Sequence, residues 1–184
     1  MFIYHGDQAQ IEWQRVMIPS SQTIDQGEYR RTLGVFPTGV TVVTARAPSG
    51  GFAGLTVNSF SSLSLEPPLI LWSITHASPS RLVFEAASHF AVNVLTEEQA
   101  ALSRRFATPN PNKFAGVDIN LGHGGAPLIA GCAATLECRS YSRQRAGDHW
   151  LLLGQVERFT RGPGKPLIFC MGRYWRGGEP LDPV

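Results

Sequence analysis

Charge and cysteine are both scarce in this chain. Sixteen Lys and Arg against fourteen Asp and Glu leave a net +2 over 184 residues, and no run of five or more basic residues occurs. The electrostatic footprint of a nucleic-acid binder is therefore missing, and the expected partner is small. The longest apolar stretches, "LILWSI" and "HFAVNVL", fall far short of the roughly 20 residues a membrane helix needs. Met1 to Ser20 contains Asp7 and Glu12 and has no basic start followed by an apolar run, so nothing there reads as a secretory signal. A soluble, cytoplasmic protein with no membrane partner is expected. Cys132, Cys138 and Cys170 are odd in number, without CxxC spacing or a His nearby in sequence, which suggests neither a disulfide frame nor a zinc site. Small core residues are the expectation for all three.

Familiar catalytic signatures are absent too. "GHGGAP" (122–127) is no GxGxxG and follows no strand pattern, while "GPGKP" (162–166) puts Pro166 where a phosphate-binding loop needs Ser or Thr. Both read as turns. There is no GxSxG, no HExxH, and the five histidines are scattered, which removes support for hydrolase and metalloenzyme readings. No internal repeat is visible.

What is present has the length of one domain, since chains of about 150 residues bury roughly 70% of their unfolded surface. The first 27 residues lack a clear period and read as an arm ending in a turn. "EYRRTLGVF" (28–36) predicts a short amphipathic helix with Tyr29, Leu33 and Phe36 on one stripe, stopped by Pro37. "GVTVVTARA" (39–47) and "FAGLTVNSF" predict a hairpin across the "PSGG" turn. "PPLILWSI" (67–74) is a continuous apolar strand, "RLVFEAA" (81–87) a helix, and "HFAVNVL" (89–95) a strand. "TEEQAALSRRFA" (96–107) is a helix with Thr96 as N-cap and Glu98 and Gln99 near the capping-box position. Residues 108–131 form the longest irregular segment. "CAATLECRSYSRQ" and "HWLLLGQVERFT" predict a long hairpin across "RAGD", and "PLIFCMGRYW" (166–175) a single last strand, with 176–184 as a tail. Strands outnumber helices and no βαβ rhythm appears, so the expected fold is mainly β, a closed antiparallel barrel with two or three helices outside.

One stretch is awkward as a strand. From Thr56 to Ser64 the chain places five hydroxyls and an amide (Thr56, Asn58, Ser59, Ser61, Ser62, Ser64) among Val57, Phe60 and Leu63. Asn and clustered Ser compete with a strand ladder by bonding their own backbone, so these polar groups need another role.

That stretch, with "FPTGVTVVTA" before it and "SHFAVNVLTEEQAALSRRFA", "NKFAGVD", "GAPLIAGCAATLEC" and "GDHWLLLGQVERF" after it, resembles in order the flavin reductase components of two-component monooxygenases. The resemblance covers about residues 28–160. It implies an FMN-binding split β-barrel with Greek-key-like connections, over 28–175, working as a homodimer in NAD(P)H:flavin oxidoreduction. It also implies the site. Thr56, Val57, Asn58, Ser59, Ser61 and Ser62 line the flavin and give donors to ring and ribityl phosphate. Pro37 and Thr38 approach the isoalloxazine, and Ser78, Ser80 and Arg81 lie at the phosphate end. Phe106 packs on the ring and Lys113 lies near it, although Asn112 stands where relatives often carry an acidic residue. His149, in "GDH", faces the nicotinamide, where it would position the carboxamide without doing proton chemistry.

The implied reaction is hydride delivery from NADH (NADPH possible) to FMN (FAD possible), with reduced flavin diffusing to a partner oxygenase. Three rivals stay open at this point: a split-barrel enzyme that keeps its flavin and reduces a corrinoid or metal chelate, a non-catalytic flavin-binding protein, and a structural barrel that binds nothing.

Overall fold

The computed structural model describes residues 24–177, so the arm up to residue 23 and the tail from 178 lie outside the described residues. The first helix starts two residues before the expected position. α1 (Gln26–Leu33) is capped by Asp25, whose carboxylate accepts the Glu28 N–H at 2.9 Å. It buries none of its side chains. Its predicted stripe of Tyr29, Leu33 and Phe36 is exposed, Phe36 to 75%.

The hairpin predicted next is present: β2 (Thr41–Arg46) pairs antiparallel with β3 (Phe52–Val57) from Thr41↔Val57 to Arg46↔Phe52. Before it, the two-residue β1 (Thr38–Gly39) belongs to a separate small sheet. β4 (Ser61–Leu65), β5 (Pro68–Thr75), β6 (His89–Val94), β9 (Ala134–Ala146) and β10 (His149–Arg161) complete a seven-stranded antiparallel sheet in the order β3-β2-β6-β9-β10-β5-β4. Its ends do not meet. β3 and β4 are the two edges, joined in sequence only by residues 58–60, so the barrel is split at the hydroxyl-rich segment, as the family resemblance implies, rather than closed, as the strand pattern alone suggests.

Side-chain alternation decides what the sheet encloses. In β5, Ile70, Trp72 and Ile74 are buried while Leu69, Leu71 and Ser73 are half-exposed. A run that looked uniformly apolar therefore has one inward and one outward face. Inside, Trp72 meets Phe84 edge-on at 5.0 Å and Phe90 at 5.8 Å, with Val43, Val92 and Leu152 around them. Phe84 comes from α2 (Arg81–Ala86).

A second core lies on the other side of β2. Val40, Val42, Leu95, Phe106 and Leu167 pack under α3 (Ala100–Ala107). A 3-10 turn at Glu97–Gln99 leads into α3, and the capping box is formed: Gln99 Oε1 accepts the Thr96 N–H at 3.0 Å. Between the cores Asn93 is fully buried and fully used, donating to Val42 O and Thr44 Oγ1 and accepting the Ile129 N–H at 2.8 Å.

Two expectations are corrected. The segment read as irregular contains a small hairpin, β7 (Ile119–Leu121) with β8 (Pro127–Ile129), which Asn93 and Thr44 tie to the barrel. The last predicted strand is two: β11 (Ile168–Cys170) and β12 (Arg173–Trp175) fold back at Met171 and Gly172, both with positive φ. Among the described residues no helix is long and apolar enough to cross a membrane.

Candidate active site

The gap between the sheet edges is where the predicted residues gather. A groove of about 370 Å³ is lined by Leu55, Thr56, Val57, Asn58 and Ser59 from one edge, Ser73, Ile74 and Thr75 from β5, and Ser78 and His149. β3 has no strand on its outer side, so backbone as well as side-chain polar groups are within reach of a ligand there.

Each side chain is held by local structure. Ser59 Oγ accepts the Ser73 N–H at 3.0 Å, continuing the β4–β5 ladder past the end of β4. The Thr56 hydroxyl donates to Ser103 O at 2.6 Å and ties β3 to α3. Both hydroxyls are thus partly committed to the scaffold, with acceptor capacity remaining at Thr56. Asn58 is exposed at the rim.

His149 opens β10 opposite Thr75 of β5, just after the hairpin tip. Its Nδ1 lies 2.7 Å from Asp148 Oδ1, and that hydrogen bond is the main cause holding the Asp148 carboxyl below its usual range. An ionised carboxylate only accepts, so Nδ1 carries the proton and Nε2 is the free ring atom. The tip is anchored by His76, whose N–H donates to Asp148 O at 2.9 Å. Leu55, Ser73, Ile74, Thr75 and Asp148 were missed in the sequence. The only available signal was the adjacency of Asp148 to His149.

A second groove of about 370 Å³ runs beside the other half of β3, lined by Phe52–Gly54, Pro79, Ser80, Lys113 and Phe114 among others. Ser78 in one groove and Ser80 in the other come from the same turn. Ser80 stands at the N-cap of α2 with no side-chain capping bond. The cations named in the sequence are not at large. Arg81 pairs with Glu85 at 2.7 Å within α2, and Lys113 Nζ donates to Phe106 O at 2.7 Å and Gly54 O at 3.2 Å, while burial lowers its pKa.

Besides Arg81, five expected residues line neither groove. Phe106 is fully enclosed, edge-on to Phe114 at 5.0 Å, and has no free face for a stacked ring. Ser61 and Ser62 are exposed on edge strand β4, Ser61 donating to Ser62 O at 3.1 Å. Thr38 pairs with Phe169 in the small sheet, after the exposed Pro37, and its buried Oγ1 has no hydrogen-bond partner.

A cleft at a sheet edge, lined by neutral donors, the half-buried Leu55 and one oriented imidazole, suits a planar heteroaromatic ring that carries carbonyls and ring nitrogens, and its volume lies in the usual range for such ligands, about 300–1,000 Å³. Flavin meets that description, and the architecture is that of the split-barrel flavoproteins. Residues 33–178 match the family described as "Flavin reductase like domain", and the chain belongs to it. It is 42% identical over 163 residues to the FMN reductase (NADH) SmoA of Agrobacterium fabrum, covering 89% of this chain and 91% of that one. Against the flavin-dependent monooxygenase reductase subunit HsaB of Mycobacterium tuberculosis it is 41% identical over 163 residues, covering 87% and 86%. The solved structure of the Streptomyces globisporus NADH:FAD oxidoreductase SgcE6 in complex with NAD and FAD fragments superposes with a TM-score of 0.81 at 41% identity, covering 86% of this chain and 96% of that one.

Proposed function

We propose that the protein is an NADH-dependent flavin reductase that reduces FMN or FAD and releases the reduced flavin to a partner monooxygenase. The observation that carries this reading is the groove at the split, where the hydroxyl-rich end of β3 and His149 face one cavity. When bound, flavin supplies the hydride acceptor and NADH the hydride. The chain's part is to bind and orient both. Asn58, Ser78 and the backbone of residues 56–59 give the flavin ring its polar contacts, the half-buried Leu55 an apolar one, and Ser80 with Lys113 a polar end in the neighbouring groove. His149, fixed through Nδ1, offers Nε2 to the nicotinamide carboxamide, as an acceptor when neutral.

The donor set also fits a flavin that leaves. Neutral hydrogen bonds contribute about 0.5–1.5 kcal/mol each and charge-assisted ones about twice that. Arg81 is paired with Glu85, which leaves Lys113, donating to two neutral carbonyls, as the cation lining the second groove, so the ligand gains about one new charge pairing. Affinity in the micromolar range, near −8 kcal/mol, follows. NADH oxidation should saturate with added FMN or FAD, and reduced flavin should reach cytochrome c across a dialysis membrane. A protein that keeps one equivalent through dialysis and gains no rate from more is instead a retained-flavin enzyme.

The working unit is proposed to be a homodimer in the cytoplasm, where NADH is regenerated. Two apolar surfaces of the single chain support the dimer. One is the α1 stripe continued by Val35, Met171 and Trp175, and the other is the outward row Leu69, Leu71, Leu151 and Leu153 with Leu65, which is 95% exposed. Covering such surface with a second copy is the usual solution. Sedimentation showing a flavin-binding monomer at micromolar concentration would remove this part.

A further inference from the structure

The flavin groove does not account for a second cluster of chemistry-bearing side chains. His89 at the start of β6, Glu157 on β10 and His123 in the turn between β7 and β8 converge on the outer face of the sheet. His89 Nε2 lies 3.5 Å, and His123 Nε2 3.7 Å, from one oxygen, Glu157 Oε2. All three ligand atoms lie within 4.8 Å of one another, and no ion is present. Glu157 is eight positions along β10 from His149, about 26 Å at 3.3 Å per residue, so the two sites are separate.

We propose that these three residues form a binding site for a borderline divalent cation, Zn²⁺. Two imidazole nitrogens and one carboxylate oxygen are a recognised zinc donor set, with metal–ligand bonds of about 2.0–2.2 Å. In a tetrahedron that size, neighbouring donors stand about 3.4 Å apart. Both His–Glu separations already match, and a shift of one exposed imidazole brings the third edge in.

The surroundings keep the donors in place. Val156 pairs with Cys138 and Arg158 with Glu137, so Glu157 is the extra residue of a β-bulge, which re-aims its side chain across β9 towards β6. Arg139 Nε holds the other carboxylate oxygen, Oε1, at 3.4 Å and leaves Oε2 to the histidines. Ser88 Oγ, 3.0 Å from His89 Nδ1, can accept its proton and leave Nε2 with a lone pair. The turn bearing His123 is fastened by the buried Glu137 carboxylate, which accepts the His123 N–H. Gly124 has φ +65°, and a Cβ there would come 2.4 Å from the His89 side chain, so a glycine lets this turn lie directly on His89. Bound Zn²⁺ would staple the β7–β8 hairpin to β6 and β10.

The test uses tag-free full-length protein stripped with a chelator, titrated with Zn²⁺ against a chromophoric competitor, and loaded separately with Co²⁺ for its visible ligand-field spectrum. One equivalent of Zn²⁺ per chain is expected, unaffected by excess Mg²⁺, with a tetrahedral Co²⁺ spectrum and a higher melting temperature. His123→Ala and Glu157→Gln, checked for unaltered circular dichroism, should each weaken Zn²⁺ binding at least tenfold and leave flavin reduction unchanged. No uptake by the wild-type protein, or uptake that persists undiminished in both variants, would overturn the site.

Discussion

Gly54→Ala tests how tightly β3 is seated beneath the flavin groove. A Cβ at this position would stand 2.5 and 2.8 Å from two Phe106 ring carbons and 3.0 Å from Phe114. Carbon contacts settle near 3.5–4.0 Å, so a ring or the strand must move by about 1 Å. Phe106 is fully buried and locked edge-on against Phe114, which leaves the strand to yield. Overpacking of this kind costs about 1–3 kcal/mol, and the lower backbone entropy of Ala offsets about 0.5–1 kcal/mol of it. Relative to a control glycine that gains the same entropy, the loss of about 1–3 kcal/mol corresponds to a melting temperature lower by about 2–12 °C for a domain of this size. Thermal unfolding by circular dichroism reads this, with Gly51→Ala, which meets nothing within 4 Å, as the control. Because the Gly54 carbonyl also holds Lys113 in the second groove, flavin affinity should fall in the same variant. A Gly54→Ala protein as stable as the control would refute the packing argument.

His149→Ala should lower kcat/KM for NADH about 5- to 30-fold, the worth of one orienting hydrogen bond of about 1–2 kcal/mol, while flavin Kd stays within about threefold. Burial lowers the Lys113 pKa below 10.5, so the unfolded chain binds more protons in the window beneath that value. The wild type should therefore gain stability relative to Lys113→Met as pH climbs through the window to 10.5, measured by urea midpoints, and a flat difference would contradict it. Burial pushes the Cys132 and Cys138 thiols up to about 11 and about 12. Both should resist a thiol reagent at neutral pH until the protein is denatured, and rapid labelling of either in the native state would show that the core opens.

Elements with a strong local signal were legible: the β2–β3 hairpin, the Thr96–Gln99 capping box and the long β9–β10 hairpin all needed only neighbours in sequence. β7 and β8 were not, because three-residue strands among Gly and Pro carry no period and are fixed by Asn93 and Thr44 from other strands. The fold-back at Met171 had only Gly172 to mark it. At the site, Thr56 to Ser59, Ser78 and His149 share one cavity. Ser61 and Ser62 belong to the same polar run, yet the chain crosses from one sheet edge to the other at residues 58–60, before reaching them, which residue type alone does not reveal. Phe106 was read as a ligand contact and packs inside the second core, since an aromatic looks alike in sequence whichever way it faces, while Lys113 lines the second groove and also donates to two backbone carbonyls.

The central claim, that the groove at the split brings flavin and nicotinamide together, is tested most directly by anaerobic stopped-flow absorbance with NADH and oxidised FMN or FAD. Flavin bleaching should be fast, saturable in both NADH and flavin, and slowed in the NADH-dependent phase by His149→Ala. Bleaching no faster than the protein-free mixture, or a rate indifferent to His149, would contradict the account.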